Sequence, residues 1–174
     1  HFAETADAVH IPCILYNVPG RTGCSIPVSV VERLSKHPNI VGIKEASGDM
    51  SYAMKIARCV GPDFALYSGN DDITVPLMSI GGSGVISVYA NVMPAMCHQI
   101  VDDYLHGRQD QAVANHLKYL QLMNDLFLEV NPIPVKTAMN LLGLNVGPMR
   151  LPLCEMSEAN AAVLRATMEE AGLL

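Results

Sequence analysis

Four short, near-continuous apolar runs constrain this chain's fold more than any other feature. They are CILYNVP from Cys13, IVGIKE from Ile40, FALYSG from Phe64 and GVISVYA from Gly84. A strand with one face in water alternates apolar and polar residues. Runs without that alternation belong to parallel sheets covered on both faces. Each interval between the runs carries a helical pattern. IPVSVVERLSKH (26–37) places Val28, Val31 and Leu34 on one face, and MSYAMKIARCV (50–60) does the same with Met50, Ala53, Met54 and Ala57. DDITVPLMSIGG (71–82) reads as a shorter helix ended by glycine. Strand, loop, helix, strand, repeated, predicts consecutive βα units on a parallel sheet. The opening HFAETADAVHIP reads as the last turns of a helix entering the first strand, with no signal peptide. The sequence is therefore expected to be a piece of something longer.

Beyond residue 94 the pattern is helical only. PAMCHQIVDDYLHG ends at Gly107. DQAVANHLKYLQLMNDLFLE (110–129) predicts one helix with an apolar face at 113, 117, 120, 123, 126 and 127. NPIPVKTAMNLLGL opens with prolines in its first turn and stops at Gly143. SEANAAVLRATMEEAGLL predicts a terminal helix with Ser157 as N-cap. The resulting division is an α/β segment over 1–107 and a helical segment over 108–174.

Charge narrows the function. A formal net charge of −6 with no basic stripe argues against nucleic acid and anionic membranes as partners. From Ile73 to Val101 no Asp, Glu, Lys or Arg occurs, a length that could span a bilayer. Pro76, the GGSG at 81–84, Asn91 and Pro94 interrupt it, so short buried elements are the better reading. That GGSG precedes a strand, whereas anion-binding glycine loops follow one, so it reads as a tight turn. Cysteines at 13, 24, 59, 97 and 154 show no zinc spacing and fit reduced thiols in a cytosolic protein. The six histidines form no ligand motif, and no metal is expected.

In α/β folds chemistry gathers at the carboxyl ends of the strands. The loops there are NVPGRTG, EASGDMS, SGNDD and ANVMP. Lys44 ends an apolar run and is the one lysine in a predicted strand. Either its stem lies on apolar surface while its head reaches water, or it is an imine-forming nucleophile. Burial disfavours an ammonium and frees the amine for attack on a carbonyl. Tyr16 shares a strand face with Ile14 and converges on Lys44 if that face lines a barrel. There it serves as a proton carrier or as a packed aromatic. Arg21, between Gly20 and Gly23, suits a carboxylate, or is a solvated loop residue.

YNVPGRTG, GIKEASGD, YSGND, GGSGVISVYAN and NPIPVK, all in order, resemble the dihydrodipicolinate synthase family. The wider superfamily includes N-acetylneuraminate lyase and other pyruvate-dependent aldolases. The arginine of YNVPGRTG resembles the synthase branch. The resemblance implies a (β/α)8 TIM barrel of which this chain holds strands five to eight, the C-terminal half, followed by helices. It implies that Lys44 forms a Schiff base with pyruvate and that the enamine adds to L-aspartate-4-semialdehyde, giving 4-hydroxy-tetrahydrodipicolinate for lysine biosynthesis in the cytoplasm. No cofactor is implied. Tyr16 carries over as proton relay, Arg21 as contact for the semialdehyde carboxylate, and Gly69 and Ile86 as backbone lining the pyruvate pocket. A homo-oligomer, a tetramer of full-length chains, is also implied. The family's paired threonines of an early strand have no counterpart in this sequence, so a catalytically incomplete half-barrel is the reading from another class.

Overall fold

The four apolar runs become one parallel sheet in strand order β1-β2-β3-β4. β1 is Cys13–Asn17, β2 Ile40–Glu45, β3 Ala65–Ser68 and β4 Gly84–Val85. The computed structural model describes residues 1–174, which form two compact units, His1–Ile86 and Ser87–Leu174. The first unit opens with helix α1 (Phe2–Asp7) running towards β1, as the opening residues predicted. A short α2 (Pro19–Thr22) and then α3 (Val28–Leu34) link β1 to β2. α4 (Met50–Ile56) follows β2, and α5 (Thr74–Met78) follows β3. Asp49 caps α4, its carboxylate accepting from Tyr52 N at 3.0 Å.

The helices lie against one face of the sheet. Leu15, Ile43 and Leu66 point into them and are almost fully buried with Val31, Leu34, Ala53, Ile56 and Leu77. Burying one such side chain is worth about 1.5–3 kcal/mol, so this layer is the core of the unit. Side chains alternate across a strand, and the opposite face is open: Ile14 and Tyr16 are 45% and 44% exposed. The apolar runs predicted a sheet covered on both faces. Here the βα crossovers all cover the same side, as a fixed crossover hand requires.

The last predicted strand is shorter than its apolar run. The ladder ends with Ile86 N donating to Ser68 O at 2.8 Å. Ser87 Oγ then accepts from Ala90 N at 2.8 Å, and the chain turns into a 3-10 turn at Tyr89–Asn91. The charge-free stretch 73–101 thus divides into several short elements, and no helix is long and apolar enough to cross a membrane.

The second unit is helical. α6 (Pro94–Leu105) packs on α7 (Gln109–Lys118), and α10 (Glu158–Glu170) packs on α8 (Leu120–Asp125) and α9 (Ile133–Leu141). Ile100, Leu122, Leu126, Ala138, Leu164 and Met168 form its interior. The single helix predicted over 110–129 is two helices. Tyr119, at φ −104° and ψ 8°, leaves the helical region between them and buries its ring 6.2 Å from that of Tyr89. The break shifts the phase, so one stripe no longer runs through. α7 buries Ala112 and His116 while Val113 and Leu117 face water. Ser157 does cap α10, accepting from Asn160 N at 3.4 Å.

Candidate active site

Parallel register sets out two adjacent rows of residues across the carboxyl ends of the strands. Tyr16, Lys44, Tyr67 and Gly84 are successive partners in one row, and Asn17, Glu45, Ser68 and Val85 in the next. Because side chains alternate, the first row faces the open side and the second faces the helices. One residue of shift therefore separates the open surface from a buried support.

On the open side the Lys44 amine lies over the Tyr16 ring, with Nζ 4.3 Å from the ring centroid. A cation at this distance is held by the ring's negative face. Lys44 is half-buried rather than enclosed, although it ends an apolar run. The reason is the uncovered sheet face: Ile43 and Glu45 flank the lysine in sequence, but both point the other way, into the helices. Gly69, just past β3, donates its N–H to Glu45 O at 2.6 Å. A Cβ on Gly69 would lie 2.5 Å from Ala46 Cβ and 3.0 Å from Lys44 Cε. Only bare backbone lets the lysine stem pass there.

The structure thus brings Tyr16, Lys44 and Gly69 together. Ile86 stands at the end of β4, its N–H engaged by Ser68 O and its side chain 42% exposed. Arg21 lies on the exposed turn α2, which replaces the loop predicted there. Gly23 ends that turn in the left-handed region at φ 72°, where a side chain is strained. No group of three or more His, Cys, Asp or Glu side chains is arranged to hold a metal ion, and all five cysteines are free thiols.

Behind the open row lies a hydrogen-bonded set that sequence reasoning did not single out. Glu45 is 1% exposed, and both its oxygens accept: Oε2 from Asn17 Nδ2 at 2.7 Å, Oε1 from Ser47 N at 2.6 Å. Asn17 Oδ1 accepts from Ile26 N at 2.9 Å, and the Tyr52 hydroxyl donates to Ile26 O at 2.7 Å. Desolvation, then the Glu45 carboxylate and the Cys59 thiol, pushes the Tyr52 hydroxyl up to about 12. A signal was present in the sequence: each of two apolar runs carries a polar residue directly after a candidate site residue, Asn17 after Tyr16 and Glu45 after Lys44.

The family model of the Dihydrodipicolinate synthetase family matches residues 1–171. The chain belongs to this family. The 4-hydroxy-tetrahydrodipicolinate synthase of Clostridium perfringens (strain SM101 / Type A) is 49% identical over 174 residues, covering 100% of this chain and 60% of the relative. The dihydrodipicolinate synthase of Cyanidioschyzon merolae, solved with lysine bound, superposes with a TM-score of 0.95 at 42% identity, over 100% of this chain and 59% of that one. The chloride-inhibited dihydrodipicolinate synthase of Acinetobacter baumannii, complexed with pyruvate, gives 0.95 at 39% identity, over 100% and 60%. This member of the synthetase family therefore spans about three-fifths of the length of these relatives. Its four-stranded parallel sheet with helices resembles the matching part of their structures.

Proposed function

We propose that this chain is the C-terminal part of a 4-hydroxy-tetrahydrodipicolinate synthase, a Schiff-base-forming lyase that joins pyruvate to L-aspartate-4-semialdehyde. In this reading residues 1–107 are half of a (β/α)8 barrel and 108–174 its helical appendage. The observation that carries it is the Lys44 amine held 4.3 Å over the Tyr16 ring at the carboxyl ends of neighbouring strands. The 49% identity to a named synthase supports the choice of reaction, and the pyruvate complex of the Acinetobacter baumannii enzyme supports that of first substrate.

The chemistry follows from the groups. Neutral Lys44 Nζ attacks the keto carbon of pyruvate, and the carbinolamine loses water to give an imine. Loss of a methyl proton yields the enamine. Its carbon bonds to the aldehyde carbon of the semialdehyde, whose oxygen takes up a proton. The semialdehyde's own amine then closes the ring and releases Lys44. Tyr16 lies close enough to the amine to carry protons in these steps. Gly69 and Ile86 line the pyruvate pocket, and Arg21 holds the second substrate's carboxylate. No cofactor takes part. The family's oligomeric habit and a cytoplasmic site of action belong to the same reading.

A sheet of four strands with an open inner face supports a second reading of the isolated chain, an incomplete half-barrel without turnover. One experiment addresses both. Pyruvate and borohydride are applied to the chain alone and to the chain joined to the N-terminal portion of the Clostridium perfringens synthase. A reduced pyruvyl adduct on the GIKEASGD peptide, lost in Lys44→Arg, is expected in the joined protein. Arginine stays protonated and cannot substitute as the amine. Adduct on Lys36 or Lys136 refutes the assignment, and adduct with turnover in the chain alone refutes the half-barrel reading.

A further inference from the structure

We infer that Asn17 and Glu45 form a cross-strand clamp that sets the spacing of Tyr16 and Lys44, and so act as positioning residues for imine formation. The inference rests on the reading of Lys44 as the imine-forming amine. Asn17 and Glu45 are themselves register partners, each the last residue of its strand and each 1% exposed. Their side chains point into the helical layer, while Tyr16 and Lys44, one residue earlier, point to the open face. A bond between the last pair therefore fixes the backbone that carries the reactive pair, without touching a substrate.

Polarity makes the clamp specific. Two donors, Asn17 Nδ2 and Ser47 N, converge on the two oxygens of Glu45. Asn17 Oδ1 is committed to Ile26 N, so the Asn17 amide is oriented with its NH2 towards the carboxylate. Ile26 O in turn receives the Tyr52 hydroxyl, which ties the loop after α2 to α4. A buried carboxylate is costly unless satisfied, and these two donors satisfy it. An apolar pair would fill the space as well, but would not lock the two strand ends to each other and to the Ser47 turn. Gly69 N donating to Glu45 O extends the lock to β3.

The swap of polarity is a direct test. In Glu45→Gln one of two converging donors faces an NH2 group. In Asn17→Asp two carboxylates face each other. Combined, the two changes restore every bond: the new carboxylate at 17 accepts from Ile26 N and from the new amide at 45, whose oxygen accepts from Ser47 N. The net charge of the pair is also restored.

Two readouts are taken, the first on the chain and the second on the joined protein. The first is the Lys44 ε-methylene proton resonance, expected upfield because Nζ lies 4.3 Å from the Tyr16 ring centroid, with its cross-relaxation to that ring. The second is the maximal rate of borohydride trapping with pyruvate, and the pyruvate concentration giving half of it, in the chain joined to the Clostridium perfringens portion. Both are read at a temperature where circular dichroism shows all variants folded. Each single change is expected to erase the upfield shift and to slow maximal trapping roughly ten- to hundred-fold at unchanged half-saturation. The double change is expected to recover both. Single variants that keep the shift and the trapping rate overturn the clamp, as does a folded double variant that recovers neither. If the unaltered protein traps no pyruvate, the synthase reading fails, and the resonance of Lys44 still decides the clamp.

Discussion

Replacing Gly69 with alanine measures how tightly the Lys44 stem is packed. The added methyl would stand 2.5 Å from Ala46 Cβ, 3.0 Å from Lys44 Cε and 3.1 Å from Glu45 O. Carbon atoms rest about 3.5–4.0 Å apart, so Ala46 has to retreat by roughly 1 Å. It is not free to do so. Ala46 N is bonded to Asn17 O at 2.9 Å, and Gly69 N to Glu45 O at 2.6 Å, which tethers both sides of the clash. The lysine stem is the softer neighbour and also moves. Overpacking of this kind costs about 1–3 kcal/mol. In a chain of this size each kcal/mol lowers the melting temperature by about 2–4 °C, so a fall of roughly 2–12 °C is expected by calorimetry. Pyruvate trapping at Lys44 should fall with it in the joined barrel. Gly20→Ala is the control. Nothing lies within 4 Å of its added Cβ, and it sits within the α2 turn, so stability should hold or rise by about 0.4–1 kcal/mol. Unchanged melting and trapping in Gly69→Ala would show that the close approach of β2 and β3 is not what holds Lys44.

Arg21→Ala should leave pyruvate trapping intact in the joined barrel while lowering kcat/KM for the semialdehyde roughly ten- to hundred-fold, as loss of a charged hydrogen bond predicts; initial rates and trapping on the same sample check it. Tyr52 should ionise near pH 12 in the native protein, against about 10 when unfolded, in a phenolate absorbance titration. Because the folded value is the higher one, Tyr52 contributes stability that is complete below the unfolded value and lost as pH climbs through about 12. Tyr52→Phe should remove that step. Glu129 Oε1 accepts from Ser157 N, Ser157 Oγ and Asn160 Nδ2 at 3.0, 2.7 and 2.9 Å. These bonds hold its carboxyl below the usual range, the Asn160 amide contributing most. A lowered folded value means stability present above the ordinary glutamate range and lost as pH falls through the folded one. Acid melts of the chain should therefore flatten in Glu129→Gln. Ser157→Ala removes both the α10 cap and a Glu129 donor, and should cost about 0.5–2 kcal/mol in a denaturant titration at neutral pH.

Sequence and tertiary structure divided the work along physical lines. Strands β1 and β2 were legible because their apolar runs are short and bounded by turns, and the cap at Ser157 because its side chain answers to neighbours three residues away. Lys44 stood out as the one cation in the four apolar runs, and Tyr16 as a phenol on a strand face that could converge on it. Local pattern could not register the break at Tyr119, whose ring is drawn against Tyr89 thirty residues earlier in the chain. Nor could it show that one face of the sheet is open, since the runs lack the apolar–polar alternation that marks an exposed face, and cover depends on which segments pack there. The Asn17–Glu45 pair is the clearest case. Twenty-eight residues separate the two, and each alone reads as an ordinary polar strand end. Only the parallel register sets them opposite each other and turns a buried carboxylate from a penalty into a tether. Local composition determines which residues can be strands, helices and nucleophiles. Register and packing decide which of them meet, because those distances depend on hydrogen bonds between segments far apart in the chain.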